Sequence, residues 1–292
     1  MSDRPLSPDT ELPELHILPL NQLVEHEHAD AQRTAPLVEH LQAEDKLQNP
    51  PIVAALSENP PRFVVLDGSN RIAALRSLGY PHVLVQQVHY AAPQVRLKTW
   101  RHVITGIHVE QFIGALKSIR GLELCAASPT ETAEAFEDVN IALRQNLLAR
   151  LLCVDSQVLT ARATGEALNL HMLNHLLNRM VETYQAQGKL FRAATADLDE
   201  VRLYPELTAL VIFPTFQAAE VLALVRAGEL LPPGLTRHLI EGRALRLNYP
   251  LSELRSLDSL EAKEGRLQAW LKQKLVSKEI RFYGEATFLF DE

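Results

Sequence analysis

The sequence has little of what usually announces a protein class. Two cysteines, Cys125 and Cys153, occur among 292 residues, too few for a disulfide framework or a four-thiolate zinc site. That scarcity points to a reducing compartment and to both thiols as core residues. No run approaches the roughly 18 uninterrupted apolar residues that a membrane-spanning helix needs, and the longer ones, such as Ala209 to Phe213, have only strand length. No apolar stretch follows the start, so a signal peptide is not expected, and a soluble, cytoplasmic chain is. Basic residues are outnumbered, 29 Lys and Arg against 36 Asp and Glu, for a formal charge of −7. Such a surface is not built to neutralise nucleic-acid phosphates, so small molecules or protein are the expected partners. Internal repeats and low-complexity tracts are absent, and nothing in the sequence speaks to oligomeric state.

What is present is an ample core, with 47% hydrophobic residues, enough for one large domain or two ordinary ones. The opening MSDRPLSPDTELP mixes proline and charge without apolar periodicity and reads as a flexible arm over 1–13. Strand-like and helix-like segments then alternate. ELHILPL is a short strand, Ala35 to Leu47 has helical spacing, and PPIVAAL and Arg62 to Leu66 are strands. After the turn Asp67-Gly68, a helical run carrying Ile72, Leu75 and Leu78 stops at Gly79, and HVLVQQV is a further strand. From Thr105 the texture changes to long helical patterns at Asp138 to Val154 and Glu166 to Gln187. A strand at Leu210 to Phe213, a helix at Gln217 to Ala227, a strand pair around Thr236 to Leu247 and a helix at Leu257 to Lys278 follow. The expected class is α/β (α+β): an α/β unit over 14–104, then a mostly helical unit over 105–292 carrying a small strand pair.

Four places could carry chemistry. At Asp67-Gly68-Ser69-Asn70-Arg71 a strand runs through a tight turn into a helix, whose N-terminal N–H groups attract phosphate. Gly68 lets the backbone approach closely, Arg71 offers a fork of donors, and Asp67 could hold a hydroxyl or a metal. The same residues also make an ordinary helix cap, and on local grounds both readings stand. His26-Glu27-His28 has its histidines two apart rather than the four of a helical zinc site, so Glu27 is either solvated or a general base. His171 and His175, four apart on a helix, share a face that could serve a metal or haem, or simply packing. Thr236-Arg237-His238 follows a Pro-Pro-Gly turn and places two candidate cations beside a hydroxyl, a combination suited to carboxylate or phosphate.

Taken together, VEHEHADAQRTAPLVEHLQAEDKLQNPPIVAAL and FVVLDGSNRIAALRSLGYPHVLVQ resemble the ParB/sulfiredoxin superfamily, and within it the free serine kinases, which include ATP- and ADP-dependent members. The likeness continues through LKTWRH and LPPGLTRHLIEGRALRLNYPL. It implies a ParB/sulfiredoxin-like nucleotide-binding domain at 14–104 and a substrate and closure domain at 105–292. The implied reaction is phosphorylation of free L-serine by ATP or ADP with Mg2+. Glu27 becomes the general base, Asp67 the group that orients the hydroxyl or Mg2+, and Gly68, Ser69, Asn70 and Arg71 the nucleotide site. His26, Thr99, Trp100, His102, Thr236, Arg237 and His238 fall on the serine side. Asn70 stands where the family usually has histidine, which implies a weaker grip on phosphate or a different nucleotide. The Arg-rich CTP motif and helix-turn-helix module of ParB partition proteins are not visible. The alternative is a non-enzymatic, nucleotide- or haem-responsive ParB-like regulator that binds DNA or protein.

Overall fold

A computed structural model describes residues 12–29, 31–127, 146–165 and 168–281. The expected arm at 1–13 lies, except for its last two residues, outside them. The first unit opens with β1 (Leu15–Pro19), β2 (Leu23–Glu25), α1 (Ala31–Glu44), β3 (Lys46–Leu47), β4 (Ile52–Glu58), β5 (Pro61–Asp67), α2 (Ser69–Ser77) and β6 (His82–Gln87). The expected strands and helices of this region are found within a few residues of their anticipated ends. Five strands form one sheet in the order β1-β6-β4-β5-β2, with β2 parallel to β5 and β1 antiparallel to β6. Helix α2 stops as anticipated, with Gly79 at φ +72° donating its N–H to the Arg76 carbonyl; glycine adopts that left-handed geometry without a Cβ clash.

The chain then crosses through β7 (Val95–Thr99) and β8 (Arg101–Thr105) into α3 (Val109–Lys117), β9 (Leu122–Ala126), β10 (Leu147–Cys153) and β11 (Val158–Ala163). After these come α4 (Leu170–Gln185), β12 (Lys189–Ala193), β13 (Leu207–Ile212) and α5 (Ala218–Arg226). Six strands build a second, antiparallel sheet, β12-β8-β13-β10-β11-β9. The mixed α/β class therefore holds, and among the described residues the second half carries a six-stranded sheet beside its helices rather than a small strand pair alone.

One expected helix explains the difference. Of the helix expected at Asp138 to Val154, Leu147–Cys153 is a strand, and residues 138–145 lie outside the described ones. Strand β10 sits between β11 and β13 and is buried at six of its seven positions. A strand covered on both faces loses its alternation, and a continuous apolar run is then indistinguishable from a buried helix. The helices at Leu170–Gln185 and Ala218–Arg226 do form; Asn169 caps the first by accepting from Met172 N–H.

The expected strand pair around 236–247 is also corrected. Strand β14 (Thr236–Ile240) pairs instead with β7, in antiparallel register Thr236↔Thr99 and His238↔Leu97. The chain then returns to the first unit through β15 (Tyr249–Pro250), which pairs with β3, and through α6 (Leu251–Arg255) and α7 (Leu260–Val276). Tyr249, Leu251, Leu254 and Leu267 are buried in the same core as Ile17, Val65, Ile72 and Leu84. Each such side chain contributes roughly 1.5–3 kcal/mol, so the C-terminal segment is part of the first unit's core.

Candidate active site

The site begins where β2 leaves its sheet. Glu25 is still in register with Val65, and the next residue, His26, donates from Nδ1 to the Val65 carbonyl at 2.5 Å. Residues 26–28 then pair with the strap that follows α5: Leu231 N–H donates to the His26 carbonyl at 2.8 Å, and His28 N–H to the Leu231 carbonyl at 3.0 Å. Between them, the Glu27 side chain turns inward and is 9% exposed. Its Oε2 accepts from Gly234 N–H at 2.9 Å, and its Oε1 from the Thr236 hydroxyl at 2.5 Å and from Thr236 N–H. His26 Nε2 meets the same hydroxyl at 2.6 Å. A buried carboxylate is tolerable only when its lone pairs are satisfied; here a strap more than 200 residues away in sequence supplies the donors.

Gly234 holds the strap in place. It lies at φ +72°, and a Cβ there would meet the Arg192 guanidinium at 2.1 Å. Its N–H serves Glu27, while its carbonyl accepts from His102 Nε2 at 3.0 Å. His102 is fully buried, with the Tyr184 hydroxyl 2.6 Å from Nδ1. Burial, partly offset by the Gly234 carbonyl, brings its pKa down to about 4, so the ring is neutral at physiological pH.

The second part of the site is the turn after β5. Gly68 caps α2 at φ +95°, and an added Cβ would sit 3.1 Å from Pro51 Cα, so both backbone geometry and space require glycine. Arg71 donates to Asp67 Oδ2 at 3.0 Å and to the Asn49 carbonyl at 2.6 Å. Arg243, from the segment after β14, donates to the same Asp67 oxygen. Burial pushes the Asp67 carboxyl up, but the two guanidinium groups outweigh it and hold its pKa below the usual value. Asn70 accepts from the Thr34 hydroxyl at 3.4 Å, linking α2 to α1.

Of the residues expected on the serine side, Thr99, Thr236, Arg237 and His238 lie on the β7–β14 ribbon, whose two faces separate them. Thr236 and His238 are buried on the face toward Glu27; Arg237 points the other way and stacks on Trp100, with its guanidinium carbon 4.5 Å from the ring centroid. Thr99 is buried, its hydroxyl donating to the Phe213 carbonyl at 3.3 Å. Arg237 and His238 were expected as a cationic pair, and this is corrected. Strand alternation sends them to opposite faces. His238 takes a hydrogen bond from the Tyr90 hydroxyl at 2.8 Å. Burial first, and neighbouring His26 second, lower its pKa to about 3.

His171 and His175 line an open cleft of about 440 Å3 together with His28, Asn178, Glu182 and Glu229. Glu229 accepts from His171 at 2.7 Å and from Asn174 at 3.1 Å. Among the described residues no group of three or more His, Cys, Asp or Glu is placed to hold a metal.

No family model matches the chain. Curated relatives do. SbnI of Staphylococcus aureus, named an ATP-dependent L-serine kinase, is 26% identical over 283 residues, 95% of this chain and 97% of that one. An ATP-dependent L-serine kinase of Desulfurococcus mucosus is 25% identical over 85% of this chain and 95% of its own length. By sequence and by fold, this chain is a relative of the L-serine kinases. Among solved structures, a C-terminally truncated SbnI superposes with a TM-score of 0.67 at 24% identity, covering 91% of this chain and 98% of that one. A free serine kinase in complex with AMP superposes at 0.66 and 19% identity, covering 84% and 95%. The match to SbnI extends over both halves of the chain. Sequence reasoning missed Gly234, Tyr90 and Arg243. A Pro-Pro-Gly turn is the one available signal, for Gly234; a lone Arg in a loop carries none.

Proposed function

We propose that this chain is a small-molecule kinase that transfers the terminal phosphoryl group of ATP to the hydroxyl of free L-serine, giving O-phospho-L-serine. The observation that supports it most is the relationship to SbnI across 95% of the chain. That span contains both a buried, hydrogen-bonded carboxylate at Glu27 and the turn at Asp67 to Arg71, whose Asp67 is held by Arg71 and by the distant Arg243. The reaction is in-line attack by the serine oxygen, with ADP leaving, and the protein's task is positioning and charge neutralisation. Glu27 accepts the hydroxyl proton. Gly68, Ser69, Asn70 and Arg71 take the phosphates at the N-terminus of α2. Asp67 orients the arginines that face them.

Mg2+ enters this reading with the nucleotide. Asp67 is already engaged by two guanidinium groups, so the ion's ligands are mainly phosphate oxygens and water, which Mg2+ commonly keeps. His26, Thr99, His102, Thr236 and His238 hold Glu27, the strap and the ribbon in place. The half-buried Trp100 and Arg237, stacked on the ribbon face that points away from Glu27, support the ribbon from outside the reacting centre. The five-stranded unit with the C-terminal segment that returns to its core serves as the nucleotide unit, the six-stranded unit as the closing one, and with ATP as donor the setting is the cytoplasm. No helix among the described residues is long and apolar enough to cross a membrane.

Incubation with Mg2+, serine and either ATP or ADP, followed by mass spectrometry, tests the reading. O-phosphoserine formed with ATP is the expected result. Nucleotide binding without turnover on serine would return the chain to the regulator reading.

A further inference from the structure

Two arginines share one carboxylate oxygen at the turn after β5, and they differ in how firmly they are held. Arg71 is 19% exposed at its side chain and has a second fixed partner in the Asn49 carbonyl. Arg243 is 35% exposed and hydrogen-bonds to Asp67 alone in its described contacts. Its backbone, by contrast, is tightly held. Gln86, 3% exposed on β6, donates from Nε2 to the Gly242 carbonyl at 3.0 Å and accepts from Ala244 N–H at 2.9 Å. One buried carboxamide therefore grips the residues on both sides of Arg243. Two further bonds fix the loop beyond: Arg246 N–H to Asn49 Oδ1 at 2.9 Å and Leu247 N–H to the Gln48 carbonyl at 2.7 Å.

A buried glutamine whose polar atoms both serve one loop is an expensive way to hold a surface segment unless the side chain between those atoms has a task. The electrostatics indicate the task. Two positive charges face one negative charge, leaving a surplus cation beside the N-terminus of α2. Arg243 has one oxygen of Asp67 to share with Arg71, so a phosphate carrying two charges can take Arg243 over, while Arg71 stays with Asp67.

We infer that Arg243 is a second phosphate-binding arginine of the nucleotide site, resting on Asp67 until nucleotide arrives, and that Gln86 is its positioning residue. The inference rests on the kinase reading and deepens it: Arg243 meets the outer phosphates of a nucleoside polyphosphate. The first phosphate belongs to the turn.

Calorimetry on the full chain with AMP, ADP and ATP, without serine, tests it. Arg243→Ala should weaken ATP about 10- to 100-fold, the loss of a charge-assisted hydrogen bond, and AMP less than about threefold, with Arg243→Lys between wild type and Ala. Gln86→Leu should weaken ATP about three- to tenfold, and adding it to Arg243→Ala should change nothing further. If Gln86→Leu does not fold, Gln86→Glu keeps the acceptor for Ala244 while losing the donor to Gly242, and serves in its place. Equal losses for AMP and ATP, an unchanged ATP affinity in Arg243→Ala, or multiplying effects in the double variant would overturn the inference. Wild type making O-phosphoserine while Arg243→Ala binds ATP normally sinks the inference and leaves the kinase reading standing. A wild type that binds no nucleotide removes both.

Discussion

At the scale of the residue, Glu27 is a structural anchor by its hydrogen bonds and, in the proposed reaction, also the base. Its oxygens accept from Gly234, from Thr236 N–H and from the Thr236 hydroxyl. Glu27→Gln replaces one acceptor with an amide that points hydrogens at a donor. The expected cost is about 1–3 kcal/mol of stability, since a buried group loses its partner. Turnover on serine should fall at least about 100-fold with ATP affinity retained, the usual share of a positioned base. Urea denaturation and steady-state kinetics on one preparation read both effects, and an undiminished kcat would remove Glu27 from the chemistry. For Arg71→Ala, nucleotide affinity should drop about 10- to 100-fold while serine KM moves little. Asp67 still has Arg243, so the fold survives. Isothermal titration with each ligand separates the two.

At the scale of the element, the strap from Leu231 to Thr236 matters more than its length suggests. It pairs with residues 26–28, places two backbone N–H groups on Glu27, and accepts from His102 and from Trp100 N–H through the Gly234 and Leu235 carbonyls. Gly234→Ala puts a Cβ at φ +72° where Arg192 lies. The left-handed backbone alone costs about 1–2 kcal/mol for a residue with a Cβ, and the arginine must also move. The expected outcome is a loss of at least that stability together with a lower kcat, because Gly234 N–H shifts away from Glu27. Urea unfolding and kinetics with ATP and serine measure the two losses. A variant with normal kcat and wild-type stability would show that the strap tolerates displacement. Elements with alternation or a clear stop signal, such as β1, β5 and α2, are legible in the sequence. Strand β10 is not, because burial on both faces erases its period, and β14 is misassigned because its partner β7 lies some 140 residues back.

At the scale of the whole molecule, acid should loosen the join between the two units. His102 and His238 are buried as neutral rings with pKa values of about 4 and about 3, whereas in the unfolded chain both titrate near 6.5. Between those values the unfolded chain binds more protons than the native one. The contribution of these rings is therefore complete above pH 6.5 and is lost as pH falls, at about 1.4 kcal/mol per pH unit for each ring, until the native rings protonate. Asp67, with its carboxyl held below the ordinary value, adds a loss in the same direction at more acidic pH. The urea midpoint should hold steady from pH 8 to 7 and fall steeply from pH 6 to 4. A flat profile across that range would mean that neither ring is buried neutral in solution.

What the sequence determined by itself is local. Asp67-Gly68 turns, since glycine takes the left-handed backbone there without a Cβ clash; α2 stops at Gly79; and the pieces around Glu27 and Arg71 stand out as candidates, with cap and solvated readings still open beside them. These follow from steric and hydrogen-bonding rules that act within a few residues. Tertiary structure alone decided that Thr236 faces Glu27 while Arg237 faces away, that His238 is neutral, and that Gln86 presents Arg243 to Asp67. Those outcomes depend on strand register and on desolvation. Both are set by contacts between segments 150 to 210 residues apart, and no local pattern records them.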